Sequence, residues 1–267
     1  MKKLLLICSI FLLTITTNAK DYDEYDDYLD QETSTAYELA PRWLVDIPTA
    51  GTLPRGHWQI GFRFYPDGGT IGFTDIGLSN RFMLGLSYGA DKIISNSDAD
   101  WNPRIEFNLK FRFIDDVDYF PAFSIGFSSQ GFGAWNADND RFTFKSRGFY
   151  GVLSRSFYLN QWVAGWHGGL NYSLENDVDT DKAVNIFLGF DATFNYNLAF
   201  LFEYDAGLND DKTGFYSGKG RGYLNMSVKW IFTEKLEIEA LLKDLLLNRR
   251  ESSTFTREIR LTYIDSF

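Results

Sequence analysis

From His57 to the C-terminus the apolar residues return at every second position, the period of a pleated strand. No long stretch carries the 3.6-residue period of a helix. Trp58, Ile60, Phe62 and Phe64 alternate with Gln59, Gly61, Arg63 and Tyr65. Ile105, Phe107, Leu109, Phe111 and Phe113 alternate with Glu106, Asn108, Lys110 and Arg112. The same rhythm runs through Phe82–Tyr88, Trp166–Leu174, Leu198–Asp205, Leu224–Phe232, Leu236–Lys243 and Glu258–Tyr263. Less regular runs lie near Thr70–Ser79, Ala122–Ser128, Gly148–Phe157 and Val184–Phe194. Together they predict about twelve strands of roughly 8 to 12 residues, the length that crosses a bilayer when tilted. A helix competes over 234–247, where Leu236, Leu241, Leu242, Leu245 and Leu246 form a stripe. Strand is preferred there, because Leu236, Ile238, Ala240 and Leu242 face away from Glu237, Glu239 and Lys243.

The connections alternate in length. Lys92–Arg104, Ser129–Arg147, Glu175–Ala183, Gly207–Gly222 and Leu247–Phe255 are long and mostly polar. Asn80–Arg81, Asp115–Pro121, Tyr158–Trp162, Asn195–Asn197 and Thr233–Lys235 are short. Pro66–Gly69, although short, falls on the long-loop side. Long extracellular loops and short periplasmic turns in alternation mark an outer-membrane barrel. An even strand number beginning in the periplasm also ends there, which puts both mature termini on that side.

A soluble β-sandwich alternates too. Against it, the apolar faces are rich in Phe, Tyr, Trp and Leu, with aromatics near strand ends as interface girdles require. The opposite faces carry Arg63, Glu106, Lys110, Arg112, Glu203, Asp205, Lys229, Glu237, Glu239, Lys243, Glu258 and Arg260 deep within strands. A closed barrel accounts for both faces, since lipid tolerates no unpaired backbone edge. The expected fold is therefore all-β, an antiparallel transmembrane up-and-down β-barrel of about twelve strands over 42–267. The twelve charged residues are its luminal candidates. They either fill the lumen as an ion-pair network or form a constriction that selects solutes. Twelve strands lie between the filled eight-stranded barrels and the open sixteen-stranded ones, and the size favours a filled or narrow lumen.

The beginning of the chain reads as an address. Lys2 and Lys3 precede an apolar run from Leu4 to Leu13, and Thr17-Asn18-Ala19 resembles a cleavage site, so 1–19 is expected to be a secretory signal peptide. A lipoprotein anchor at Cys8 is disfavoured by the bulky Ile7 before it. Residues 20–41 form an acidic, flexible segment in which Lys20–Glu32 carries −6 of the net charge of −10. Calcium binding by this tract is the weaker reading, because the spacing lacks the EF-hand pattern. Cys8 is the one cysteine, which excludes a disulfide framework and a thiolate metal site. The acidity argues against nucleic acid as a partner. The 18% aromatic content fits lipid-facing rows, and the mean hydropathy of −0.23 averages a wet face with an apolar one.

Candidate chemistry is sparse. His57 opens the first strand and His167 lies on the luminal register of another, followed by Gly168-Gly169-Leu170-Asn171 with no nearby serine in sequence. Asp98, Asp100, Asp210 and Asp211 lie in long loops, where acids are ordinarily solvated. Gly218-Lys219-Gly220-Arg221-Gly222 lacks the strand-then-helix setting of a phosphate loop. No catalytic constellation emerges, and neither cofactor nor metal is expected.

Pro48-Thr49-Ala50-Gly51-Thr52-Leu53-Pro54-Arg55-Gly56, Asp100-Trp101-Asn102-Pro103, Gly126-Phe127-Ser128-Ser129-Gln130-Gly131-Phe132-Gly133 and Lys145-Ser146-Arg147-Gly148-Phe149-Tyr150 carry a resemblance. Over roughly 42–267 the chain resembles a widespread uncharacterised family of Gram-negative outer-membrane β-barrels. The Pro-Thr-Ala stretch is more remotely similar to the YjbH-like barrels linked to exopolysaccharide export. The terminal Phe267 on an alternating last strand resembles the signal read by the outer-membrane assembly machinery, with Asp265 where an apolar residue is usual. The resemblance implies location and fold. The expected function is a non-catalytic outer-membrane barrel, either a narrow pore or an exopolysaccharide or envelope transport component. The alternatives are a plugged structural or surface-interaction barrel, then an envelope hydrolase. Expected partners are outer-membrane lipid, the assembly machinery, and polysaccharide or small solutes.

Overall fold

A computed structural model describes residues 41–117, 119–159, 162–194, 197–212, 217–233 and 235–267. The expected signal peptide lies outside them, as does the acidic segment up to residue 40. The strands are β1 (His57–Tyr65), β2 (Gly69–Ser79), β3 (Phe82–Asp91), β4 (Asp100–Trp101), β5 (Glu106–Ile114), β6 (Ala122–Ser128), β7 (Phe132–Asn136), β8 (Arg141–Phe144), β9 (Gly148–Leu159), β10 (Trp162–Tyr172), β11 (Asn185–Phe194), β12 (Leu198–Asp205), β13 (Tyr223–Thr233), β14 (Leu236–Lys243) and β15 (Thr256–Ser266).

One sheet runs β2-β1-β15-β14-β13-β12-β11-β10-β9-β6-β5-β3, and β2 pairs β3 to close it. All these pairings are antiparallel. β4 is a short flap on β3, and β7 and β8 make a hairpin of their own. The result is a closed barrel of twelve strands in which sequence neighbours are ladder neighbours. Each of the twelve strands anticipated from alternation is present. The strand over 236–243 is confirmed against the competing helix, but it ends earlier than the apolar run. Asp244 and Leu247 take positive φ (57° and 51°) and turn the chain there. Closure places His57 opposite Ser266, so the first and last strands meet at the short-turn rim.

The outward face is apolar over its whole girth. Phe62 of β1, Phe107 of β5, Leu170 of β10, Leu188 of β11, Trp230 of β13 and Ile259 of β15 are each 47–58% exposed. A belt of this kind is stable in hydrocarbon and not in water.

Two segments outside the wall fill the lumen. Residues 41–56 turn back on themselves: Leu44 N–H donates to Ile47 O (3.0 Å), Thr49 N–H to Arg42 O (3.2 Å), and Trp43 bridges Pro48. This re-entrant loop leaves at the short-turn end, where Gly56 N–H binds Gly77 O (2.9 Å) and His57 N–H binds Pro54 O (3.1 Å). Gly77 has to be glycine, because a Cβ there would run into the backbone oxygens of Leu53 and Pro54. From the opposite end the β7–β8 hairpin folds inward and buries Phe142 and Phe144. The sequence reading treats 129–147 as an outer loop and assigns no separate role to 42–56. Both are instead parts of the interior.

Leu188→Arg, in the middle of the lipid-facing row of β11, is expected to cost about 2–4 kcal/mol of folding free energy in bilayers. Reversible folding into vesicles, followed by heat-dependent gel migration, measures it. A neutral result would remove the belt from lipid.

Candidate functional site

The tip of the re-entrant loop, Val45-Asp46, is the centre of the lumen. Glu203 of β12 points at it, and its Oε2 accepts the backbone N–H groups of Val45 (3.0 Å), Asp46 (2.8 Å) and Ile47 (2.9 Å). Its other oxygen accepts from Asn225 (2.6 Å). Three convergent N–H groups form a nest for a carboxylate. Here the wall supplies the anion and the plug supplies the nest.

The Asp46 side chain meets the cations. Its Oδ1 is 2.8 Å from Arg63 and its Oδ2 2.7 Å from Lys243. Both cations also reach Glu258, at 2.5 Å and 3.5 Å. Arg147 donates to Asp46 O (3.1 Å) and pairs with Asp205. Burial alone would raise the Asp46 carboxyl, but Lys243 and Arg63 outweigh it and hold it well below the ordinary carboxylate range.

Further hooks fasten the loop's backbone. Lys110 donates to Arg42 O (2.6 Å) and Gly51 O (3.0 Å). Arg260, paired with Glu239 at 2.6 Å, donates to Leu44 O (2.7 Å). Arg42 reaches Glu237 (3.9 Å), which is held by Lys229 at 3.2 Å. Eleven of the twelve luminal candidates thus reach the loop directly or through one partner; Arg112, which also pairs with Asp115 beside the short turn, does so through Asn80 O, which accepts from Thr52 Oγ1 as well. Glu106 stands apart and pairs with Arg104 at the long-loop end.

The loop's other side is apolar. Leu44, Ile47 and Ala50 pack on Ala122, Tyr150, Val152, Phe187, Ala199 and Leu201, all on the luminal face. Gly189 clears space for them, since a Cβ there would strike the tips of Leu44 and Ile47. The luminal register of β12 announces this patch: Ala199 and Leu201 precede Glu203 on a face that otherwise reads as polar.

The inward hairpin lies above. Lys243 Nζ sits 3.8 Å from the Phe144 ring centroid, and the Arg63 guanidinium 4.2 Å from that of Phe132. Desolvated cations over ring faces of this kind are attracted by the ring quadrupole. At the rim Arg141 pairs with Asp210 (2.6 Å) and Lys145 with Asp179 (2.5 Å). Asp210, expected to be solvated, is buried because Arg141 and the Tyr223 hydroxyl (2.5 Å) satisfy it. Glu175 accepts the Phe142 N–H (3.1 Å), and burial pushes its carboxyl up to about 7. A luminal cavity of about 90 Å³ remains beside Trp43, Gln59, Phe73 and Phe132. That is room for a few waters.

His167 is not isolated. Its Nδ1 lies 2.7 Å from Ser154 Oγ on β9, and its Nε2 lies 2.6 Å from Asp191 Oδ1 on β11. Neither partner is near it in sequence; cross-strand pairing supplies both. His57 has no such partners.

No family model matches the chain, and no curated protein sequence matches it. Among solved structures it is similar to a KdgM porin (9% identity, 79% of this chain and 99% of that one, TM-score 0.46) and a NanC porin (9%, 79% and 99%, 0.44). It is also similar to an outer membrane channel from Pseudomonas putida F1 (11%, 83% and 100%, 0.45). Identities of this order carry no substrate from one barrel to another.

Two expectations follow. Asp46→Ala strands buried cations, at a cost of about 3–5 kcal/mol to the seated loop. Hydrogen exchange of the 42–49 amides should rise accordingly, and unchanged protection would count against the ion-pair seat. Because the folded Asp46 carboxyl is depressed, its contribution is complete above the ordinary carboxylate range and is lost progressively as pH falls from that range toward the depressed value. Glu175 has the opposite sign. With its folded value raised from 4.5 to about 7, the hairpin seat is strongest in acid and weakens as pH rises between those values. Protease susceptibility of 137–140 at pH 5 and pH 8 checks it: faster cutting at the higher pH is expected.

Proposed function

We propose that the protein is an outer-membrane barrel closed at rest by its own re-entrant loop, a gated narrow pore and not an open diffusion channel. The observation that carries this reading is the fit of the loop. Asp46 and three backbone N–H groups at one end, and Leu44, Ile47 and Ala50 along one side, complement charges and apolar residues of the wall. A wall built only for strength would pair its charges with one another. This one leaves Glu203 and Lys110 to be satisfied chiefly by the loop.

The apolar belt supports a membrane location, and the alternating loop lengths support a periplasmic short-turn rim with both mature termini on that side. A cleaved signal over 1–19, an acidic segment after it and recognition of the last strand through Phe267 complete the reading. As seated, the barrel performs no catalysis at His167, because that histidine and its partners are covered. For cargo, the exopolysaccharide implied by the YjbH-like resemblance is carried forward. A fall in open-pore current on adding such polysaccharide supports it, and an unaffected current removes it.

Planar bilayers test the gate. The native protein should be silent or show rare brief openings. Glu203→Ala combined with Asp46→Ala should give steady current with the barrel still heat-modifiable on gels. A native barrel that conducts steadily, or a double variant that folds and stays silent, overturns the reading.

A further inference from the structure

Among the described residues, Ser154, His167 and Asp191 form a polar cluster of the wall with the composition of a nucleophile, a base and an orienting carboxylate. Its proton arrangement follows from the loop. Ala50 N–H donates to Ser154 Oγ (2.8 Å), so the Ser154 hydroxyl proton is free to go to His167 Nδ1 (2.7 Å). Nδ1 is then the acceptor, which puts the ring proton on Nε2, facing Asp191 (2.6 Å). That is the tautomer a serine needs from its base, with the carboxylate holding the ring. Gly165 makes it possible, since a Cβ there would collide with Asp191 Oδ1.

A fourth group lies alongside. Ser124 Oγ, fully buried, donates to Ala50 O (2.9 Å). A carbonyl oxygen therefore already rests on a hydroxyl donor next to Ser154. Ala50 occupies the place of a substrate without being one: its N–H, and not a carbonyl carbon, is presented to the nucleophile.

We propose that Ser154, with His167 as base, Asp191 as orienter and Ser124 as oxyanion donor, is a latent acyl-transfer site capped by Ala50. Its substrate class is a carboxylic ester small enough to enter the lumen once the loop withdraws. Ser154 Oγ attacks the ester carbonyl carbon as its proton passes to His167 Nδ1. The C–O bond to the alcohol breaks, and the alcohol leaves with that proton. Water then cleaves the acyl-serine, releasing the carboxylic acid and restoring the hydroxyl. The proposal rests on the loop being removable, as read above.

A fluorophosphonate is the probe. Oγ–P bond formation expels fluoride, and the proton goes to His167. Native protein in detergent should label slowly. The Glu203→Ala, Asp46→Ala barrel should label at Ser154 at least about 100-fold faster, the scale of one general base. Added Ser154→Ala should abolish labelling. Added Asp191→Asn should slow it by up to about 10⁴-fold, because the ring loses its enforced tautomer. Should the double variant fail to fold, Lys110→Gln, which frees Arg42 O and Gly51 O, serves instead. Current without labelling, or Ser154 labelling no faster than the luminal Ser227, overturns the nucleophile and leaves the three residues as a seat for Ala50. Absence of current in both barrels overturns the removable loop, and the latent site with it.

Discussion

Closure of the hydrogen-bond ladder in an apolar solvent is the constraint on which the rest depends. Lipid satisfies no backbone group, so β2 must return to β3 and leave no edge. Closure then divides every strand into a face that meets hydrocarbon and a face that cannot escape its neighbours. Charges on the second face are withdrawn from bulk water and need partners, since an unpaired buried charge costs several kcal/mol. Twelve strands make a ring too wide for those side chains alone to fill. The chain fills it with itself.

The two fillers differ in kind. The re-entrant loop brings an anion and a row of N–H groups to a wall with cations and a carboxylate waiting. The hairpin brings aromatic rings to the same cations from the other side. Lys243 and Arg63 are shared by both, through Asp46 below and Phe144 or Phe132 above. Loosening one filler therefore changes the field felt by the other. This coupling is physical contact at two residues and needs no longer pathway.

The Ser154, His167 and Asp191 group shows how a barrel makes constellations that spacing along the chain hides. Adjacent strands set His167 opposite Ser154 in register, and Asp191 lies one diagonal away, opposite Gly165. No serine follows His167 closely along the chain, because its serine neighbour lies across the ladder.

The sequence by itself determined the wall. Period-two alternation is a local property set by the pleat, so the twelve strands and the rows of their apolar face were legible residue by residue. Only the tertiary structure decided what occupies the lumen. The segment 42–56 has no period, and 129–147 looks like any polar loop, because what holds them is complementarity to residues up to 216 positions away, as between Arg260 and Leu44. Apolar residues on the luminal register, such as Ala199 and Leu201 of β12 and Val152 of β9, were a local trace of it. Alternation states which way a side chain points; what meets it there depends on how the whole chain closes.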